Sequence, residues 1–204
     1  MGDARSGGAL RQTVCRTSDR FELLPSSVVS EGILLPPVPR GTLLSEAERI
    51  ARLDEALPQI RAAVSGEKDA VAIEATLACL LWETLVQTSW CGFYRRVDAR
   101  TLAVGPYQGT MGCLRIDLAR GVCGACARTG EVQLVPDVSL FPGHIACDDR
   151  TRSELVVPVF ASRAREGDVL AVLDLDSPHP GAFSTAEADR LVALIADAFD
   201  GASF

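Results

Sequence analysis

The chain has 204 residues, 48% hydrophobic and 23% charged, a composition that suits one packed domain with a tail and excludes global disorder. Its formal net charge of −7 excludes a phosphate-tracking surface, which needs clustered Lys and Arg, so no nucleic acid is expected as a partner. Seven cysteines, an odd number, stand in a sequence without a signal-peptide pattern or an apolar run long enough to cross a bilayer. No membrane partner is expected, and the setting reads as cytoplasmic and reducing, where cysteine serves redox chemistry, metal binding or packing.

Residues 1–43 read as a flexible N-terminal extension. Gly, Ser and Pro are frequent, and Pro36-Pro37 and Pro39 favour extended backbone, with Leu34 and Leu35 able to dock on a domain. The opening Met1-Gly2-Asp3-Ala4-Arg5-Ser6 fits only a loose myristoylation pattern and is set aside, because an acidic residue follows Gly2. Ser45 with Glu48 forms a capping box, and Ile50, Leu53, Leu57, Ile60 and Val64 then fall on one helical face ending at Gly66, with Pro58 expected to kink the helix. A second helix runs from Asp69 to Val86 on an Ile73, Leu77, Leu80, Leu81, Leu85 stripe, with Cys79 expected as core filler beside it.

Shorter elements follow. Trp90–Arg96 and Leu102–Tyr107 read as a hairpin, 113–117 as a short extended piece, 121–128 as a short helix and 132–135 as a strand. Residues 154–162 and 169–176 form a second hairpin, and Ser184 with Glu187 caps a closing helix. Helices gathered on a mostly antiparallel sheet make an α+β layered domain. The long irregular stretch between 135 and 154 is a candidate functional loop.

Cys113, Cys123 and Cys147 are the residues most suited to chemistry. Cys147 lies in the long loop near His144, and Cys123 lies between glycines that allow close backbone approach. Together they suggest a nucleophilic thiolate and a resolving thiol; the residues alone leave open which is which. His144 either assists Cys147 or bonds within the loop. The pairs Cys123-x2-Cys126 and His144-x2-Cys147 also have zinc-ligand spacing, but apolar, helix-like flanks argue against a metal. Asp174 and Asp176 alternate on one strand, so both face the same side, and their run is otherwise apolar. Glu154 opens the preceding strand. Trp90 and Tyr94 share a strand face and are candidates to wall an apolar pocket.

Trp90-Cys-Gly-Phe-Tyr94, the run from Leu102 to Gly109, Cys113-Leu-Arg-Ile116, Gly121-Val-Cys-Gly124, Val135-Pro-Asp-Val138, the stretch from Phe141 to Asp148, the run from Ser153 to Pro158 and the run from Gly167 to Ser177 occur in this order. From about Ser45 to the C-terminus the sequence resembles the free methionine-(R)-sulfoxide reductase family, whose members are single GAF domains. The resemblance implies a GAF domain over 44–204. The implied reaction is the thiol-dependent reduction of free L-methionine (R)-sulfoxide to methionine, in protection from oxidative damage. It implies that Cys147 is the nucleophile, Cys113 the principal resolving cysteine and Cys123 a further relay cysteine. Glu154, Asp174 and Asp176 match acidic pocket residues, and Trp90 and Tyr94 match an aromatic cage for the terminal methyl. No bound cofactor is implied. Thioredoxin is the implied reductant, fed indirectly by NADPH through thioredoxin reductase, and a homodimer is the implied assembly.

The chain departs from the family at Cys91 and Cys126, where alanine-like residues are expected; these extra thiols open the way to other disulfides, above all one involving Cys126 near Cys123. The competing expectation is a non-catalytic GAF sensor of a small molecule or of redox state, using the same cavity.

Overall fold

The computed structural model describes residues 33–145 and 147–204. Both capping boxes form. Ser45 and Glu48 exchange side-chain and backbone hydrogen bonds at the start of α1 (Glu46–Ala63), and Ser184 and Glu187 do so at the start of α4 (Thr185–Ala198). α1 runs on through Pro58 as a single helix. Asp69 caps α2 (Ala70–Thr84) by accepting from the backbone N–H groups of Val71 and Ala72. Cys79 lies on the exposed side of α2 and is not core filler; the apolar stripe is filled without it, by Ile73, Leu77 and Leu81.

Between these helices come β1 (Trp90–Arg96), β2 (Thr101–Gly109), β3 (Arg115–Asp117), α3 (Gly121–Thr129), β4 (Gln133–Val135), β5 (Ser153–Val159) and β6 (Ala171–Ser177). A 3-10 turn at Val138–Leu140 opens the long loop between β4 and β5. The strands form one six-stranded sheet in the order β3-β2-β1-β6-β5-β4, antiparallel throughout.

Strand alternation divides the core in two. Cys91 and Phe93 of β1, Leu155, Val157 and Val159 of β5, and Ala171, Leu173 and Leu175 of β6 pack against α1, α2 and α4. Trp90 and Tyr94, Val156 and Val172 face the other way, into a smaller cluster closed by α3 and the long loop. Each fully buried Leu or Phe contributes roughly 1.5–3 kcal/mol, so the larger cluster supplies most of the stability and leaves the smaller one free to carry polar groups. Ile33–Leu43 lies along α1 and α2: Arg52 donates to the carbonyl of Pro36 (2.7 Å), and Arg40 stacks over the Trp82 ring (3.5 Å). Leu34 is exposed, whereas Leu35 packs partly against the core. No helix of the described residues is long and apolar enough to cross a membrane.

Candidate active site

Three neighbouring strands set the floor of the site. In the sheet register Trp90 of β1 stands opposite Asp176 of β6, and Asp176 stands opposite Glu154 of β5. One step along, Asp174 lies between Gly92 and Val156. Glu154, Asp174, Asp176, Trp90 and Tyr94 therefore share the face turned to α3, and all five line one cavity of about 490 Å³, measured out to the solvent at its mouth.

One wall is aromatic. The Trp90 ring stacks between Tyr94 (centroids 5.4 Å) and Tyr107 (5.2 Å). Tyr107 reaches this face through an irregularity in the β1–β2 register: Tyr94 pairs with Val104 but Gly92 pairs with Tyr107, so β2 carries one extra residue there. Simple alternation from Val104 would have turned Tyr107 to the opposite side, and no sequence signal marked it as a site residue. Gly112, in the loop after β2, closes over the rings; a Cβ there would lie 2.8 Å from the Tyr94 hydroxyl and 3.2 Å from Trp90 Nε1.

The opposite wall is α3 and the long loop. Cys123 of α3 is buried, and its Sγ donates toward Glu154 Oε1 at 3.9 Å. The Gly121 N–H donates to the carbonyl of Gly143 at 3.1 Å, which ties the loop to the start of α3. His144 Nε2 lies 3.7 Å from Glu154 Oε2, so this histidine addresses the acidic floor. Burial holds its pKa down, which favours the neutral ring. Thr110 donates to Asp148 Oδ2 (3.0 Å), drawing the loop before β3 onto the loop before β5. Between those two loops Cys113 and Cys147 are joined by a disulfide, with Cα atoms 5.4 Å apart. Cys147 lines the cavity.

All eight residues singled out from the sequence thus converge: seven line the cavity and Cys113 is bonded to one of them. The four-ligand zinc arrangement considered from spacing does not form, because Cys147 is bonded to Cys113. The one cluster with metal-compatible donors among the described residues is Cys123, Glu154 and Asp174. Cys91 points to the other side of the sheet, toward the carbonyl of Ala78. Thr110, Gly112, Asp148 and Thr151 also line the cavity and were not foreseen as site residues.

Electrostatics make the floor acidic in the chemical sense. Burial raises the pKa of Glu154 well above its ordinary value, and the neighbouring Asp174 and Asp176 raise it further. Burial also lifts Asp176, with Asp174 and Asp148 adding to the effect, and it pushes Asp174 up to about 7. Asp148, paired with Arg150 outside the floor, is held well below the usual range. Asp174 Oδ1 and Trp90 Nε1 are buried without a protein hydrogen-bond partner. Groups of this kind hydrogen-bond to an ordered water or a polar ligand.

The GAF domain profile matches residues 72–199. A free methionine-R-sulfoxide reductase of Escherichia coli is 39% identical over 135 residues, which span 66% of this chain and 79% of that protein. The chain belongs to the free methionine-R-sulfoxide reductase family of GAF domains. A Saccharomyces cerevisiae protein of the same name is 38% identical over 130 residues, 61% of this chain and 71% of the yeast protein. The solved free methionine-R-sulfoxide reductase of Neisseria meningitidis, in complex with its substrate, superposes with a TM-score of 0.69 at 38% identity, covering 78% of this chain and 93% of that one. The GAF fold expected from the sequence is thereby established.

Proposed function

We propose that this protein reduces free L-methionine (R)-sulfoxide to methionine. The observation that carries the reading is the disulfide between Cys113 and Cys147 beside a cavity with three carboxyl groups on its floor, those of Glu154 and Asp174 buried, and an aromatic wall beside them. A sulfoxide sulfur is a poor electrophile until its oxygen is protonated, so the reaction needs an acid and a soft nucleophile in one dry pocket. In this reading Cys147 attacks the sulfur while one of Glu154, Asp174 and Asp176 gives a proton to the oxygen. Methionine leaves and Cys147 becomes a sulfenic acid. Cys113 condenses with it, forming the disulfide and releasing water.

The remaining carboxylates hold the α-ammonium of a free amino acid, which a peptide-bound methionine lacks. Trp90 and Tyr94, with Tyr107 behind, enclose the terminal methyl. Cys123, beside Glu154, is a further thiol within the site. A cytoplasmic dithiol protein of the thioredoxin type, drawing on NADPH, then reduces the Cys113–Cys147 bond. The catalytic unit is the domain from residue 44 to the C-terminus, acting as a homodimer and without a bound cofactor; residues 1–43 stand outside the chemistry, and residues 1–32 lie outside the described structure.

The test is direct. Protein incubated with dithiothreitol and free methionine (R)-sulfoxide is expected to release methionine. The (S) epimer and an N-acetylated methionine sulfoxide, which lacks the α-ammonium, are expected to be poor substrates. Absence of methionine from the free (R) epimer would overturn the proposal and favour a non-catalytic binding domain.

A further inference from the structure

Cys126 has no part in the reaction above, yet it lies one helical turn from Cys123. The run Cys123-Gly-Ala-Cys126 is wholly inside α3. Residues three apart share a helix face, with Cα atoms about 5 Å apart and Cβ atoms about 5–6 Å apart; the Cα spacing suits a disulfide, and closing the bond draws the two Cβ atoms together by about 1 Å. Both thiols address one strand: Cys123 Sγ lies 3.9 Å from Glu154 Oε1, and Cys126 Sγ lies 3.7 Å from the carbonyl of Val156. Both are almost fully buried in the same cluster. They differ in one respect. Cys123 lines the cavity that Cys147 also lines, whereas Cys126 does not. One thiol of the pair therefore shares the cavity with the catalytic disulfide, and the other lies one turn further along α3, outside the lining.

We propose that Cys123 and Cys126 form a second redox-active dithiol that takes over the disulfide from Cys113 and Cys147, so that the enzyme turns over twice before it needs an external reductant. The inference rests on the sulfoxide-reductase reading. The sulfur of Cys123 attacks that of Cys147, forming a Cys123–Cys147 bond and releasing Cys113, which takes up the proton that Cys123 gives through Glu154. Cys126 then attacks Cys123, forming Cys123–Cys126 and releasing Cys147 as the thiol. One disulfide and two thiols are conserved, so the exchange needs no oxidant. A second sulfoxide then oxidises Cys147 and Cys113 again. Over both turnovers four thiols become two disulfides, while two sulfoxides become two thioethers and two waters. Burial and the surrounding carboxyl groups hold Cys123 and Cys126 in the thiol form, so the exchange is slower than the first turnover.

The experiment uses the full chain, reduced, freed of reductant and mixed with excess free methionine (R)-sulfoxide. Two equivalents of methionine per chain are expected, the second in a slower phase. The tryptic peptide from Gly121 to Arg128 is expected to become lighter by two hydrogens and to resist alkylation. Cys126→Ala is expected to stop at one equivalent, and Cys79→Ala, at an exposed thiol of α2, to keep both. A wild-type chain that stops at one equivalent, with two alkylatable thiols left in that peptide, overturns the second dithiol while leaving the sulfoxide reductase standing. Release of no methionine overturns both. The peptide readout on the wild-type chain decides the matter even if Cys126→Ala fails to fold.

Discussion

Asp174 sits where burial works most directly against its charge: it is nearly inaccessible, lies on the same face as Glu154 and Asp176, and has Cys123 and Cys126 as further neighbours. A carboxyl whose folded pKa is raised binds a proton in the native state that the unfolded chain has already lost. Stability therefore falls as pH rises from about 4, the unfolded value, to about 7, and levels off above. Glu74, buried beside Arg95 and also raised to about 7, adds a slope of the same sign. The difference between wild type and Asp174→Asn isolates the site. Asp174→Asn is expected to flatten the profile and to be more stable than wild type at pH 8 by about 4 kcal/mol, read by denaturant unfolding across pH. If Asp174 supplies the proton to sulfoxide oxygen, the single-turnover rate of the wild type falls above about pH 7, and the variant loses that limb together with most of its activity. The cysteines make a sharper pair. Cys147→Ser is expected to release no methionine in a single turnover. Cys113→Ser is expected to release the first equivalent but to slow thioredoxin-driven cycling by about tenfold or more; unchanged cycling would pass the resolving role to another thiol.

At the scale of elements, α3 decides how close Cys123 comes to the acidic floor. A Cβ on Gly124 would lie 2.8 Å from the carbonyl oxygen of Leu118 and 2.9 Å from that of Asp117, both backbone atoms that cannot swing aside. Gly124→Ala is expected to lift α3, costing roughly 1–3 kcal/mol of stability and lowering activity by moving Cys123 and the attached loop away from Glu154. Thermal unfolding and steady-state kinetics check the two effects separately. The element order, both capping boxes and the shared face of Asp174 and Asp176 were legible in the sequence, because local hydrogen bonds and strand alternation cause them. The place of Tyr107 was not, because an extra residue in β2 reverses its side, and pairing with β1 fixes that irregularity. Exposed Cys79 was misread for a related reason: on a helix as apolar as α2, composition does not say which face the sheet covers.

Across the whole molecule, the far side of the sheet is held by a buried ion pair. Arg49 of α1 donates from Nε and Nη2 to both carboxylate oxygens of Glu187 in α4, each at 3.0 Å, and Gln87 donates to the same carboxylate. Both charged side chains are buried. Arg49→Met is expected to strand the Glu187 charge and cost about 3–5 kcal/mol, a fall of about 10 °C in Tm for a chain of this size. The cavity lies on the opposite face, so kcat/KM of the folded variant at room temperature is expected to match wild type. A matching loss of activity would mean that the two faces of the sheet are coupled.

The sequence by itself determined the helices, the strands and their sided patterning, because these arise from propensity, capping and periodicity within a few residues. Its motif order also carried the likeness to one family. Only the tertiary structure decided that Cys113 and Cys147, 34 residues apart, meet in a bond. It alone brought Trp90, Asp176 and Glu154 into one row across three strands and set Cys123 and Cys126 facing β5. Those relations depend on strand register and loop docking, which are set by packing between segments distant in the chain.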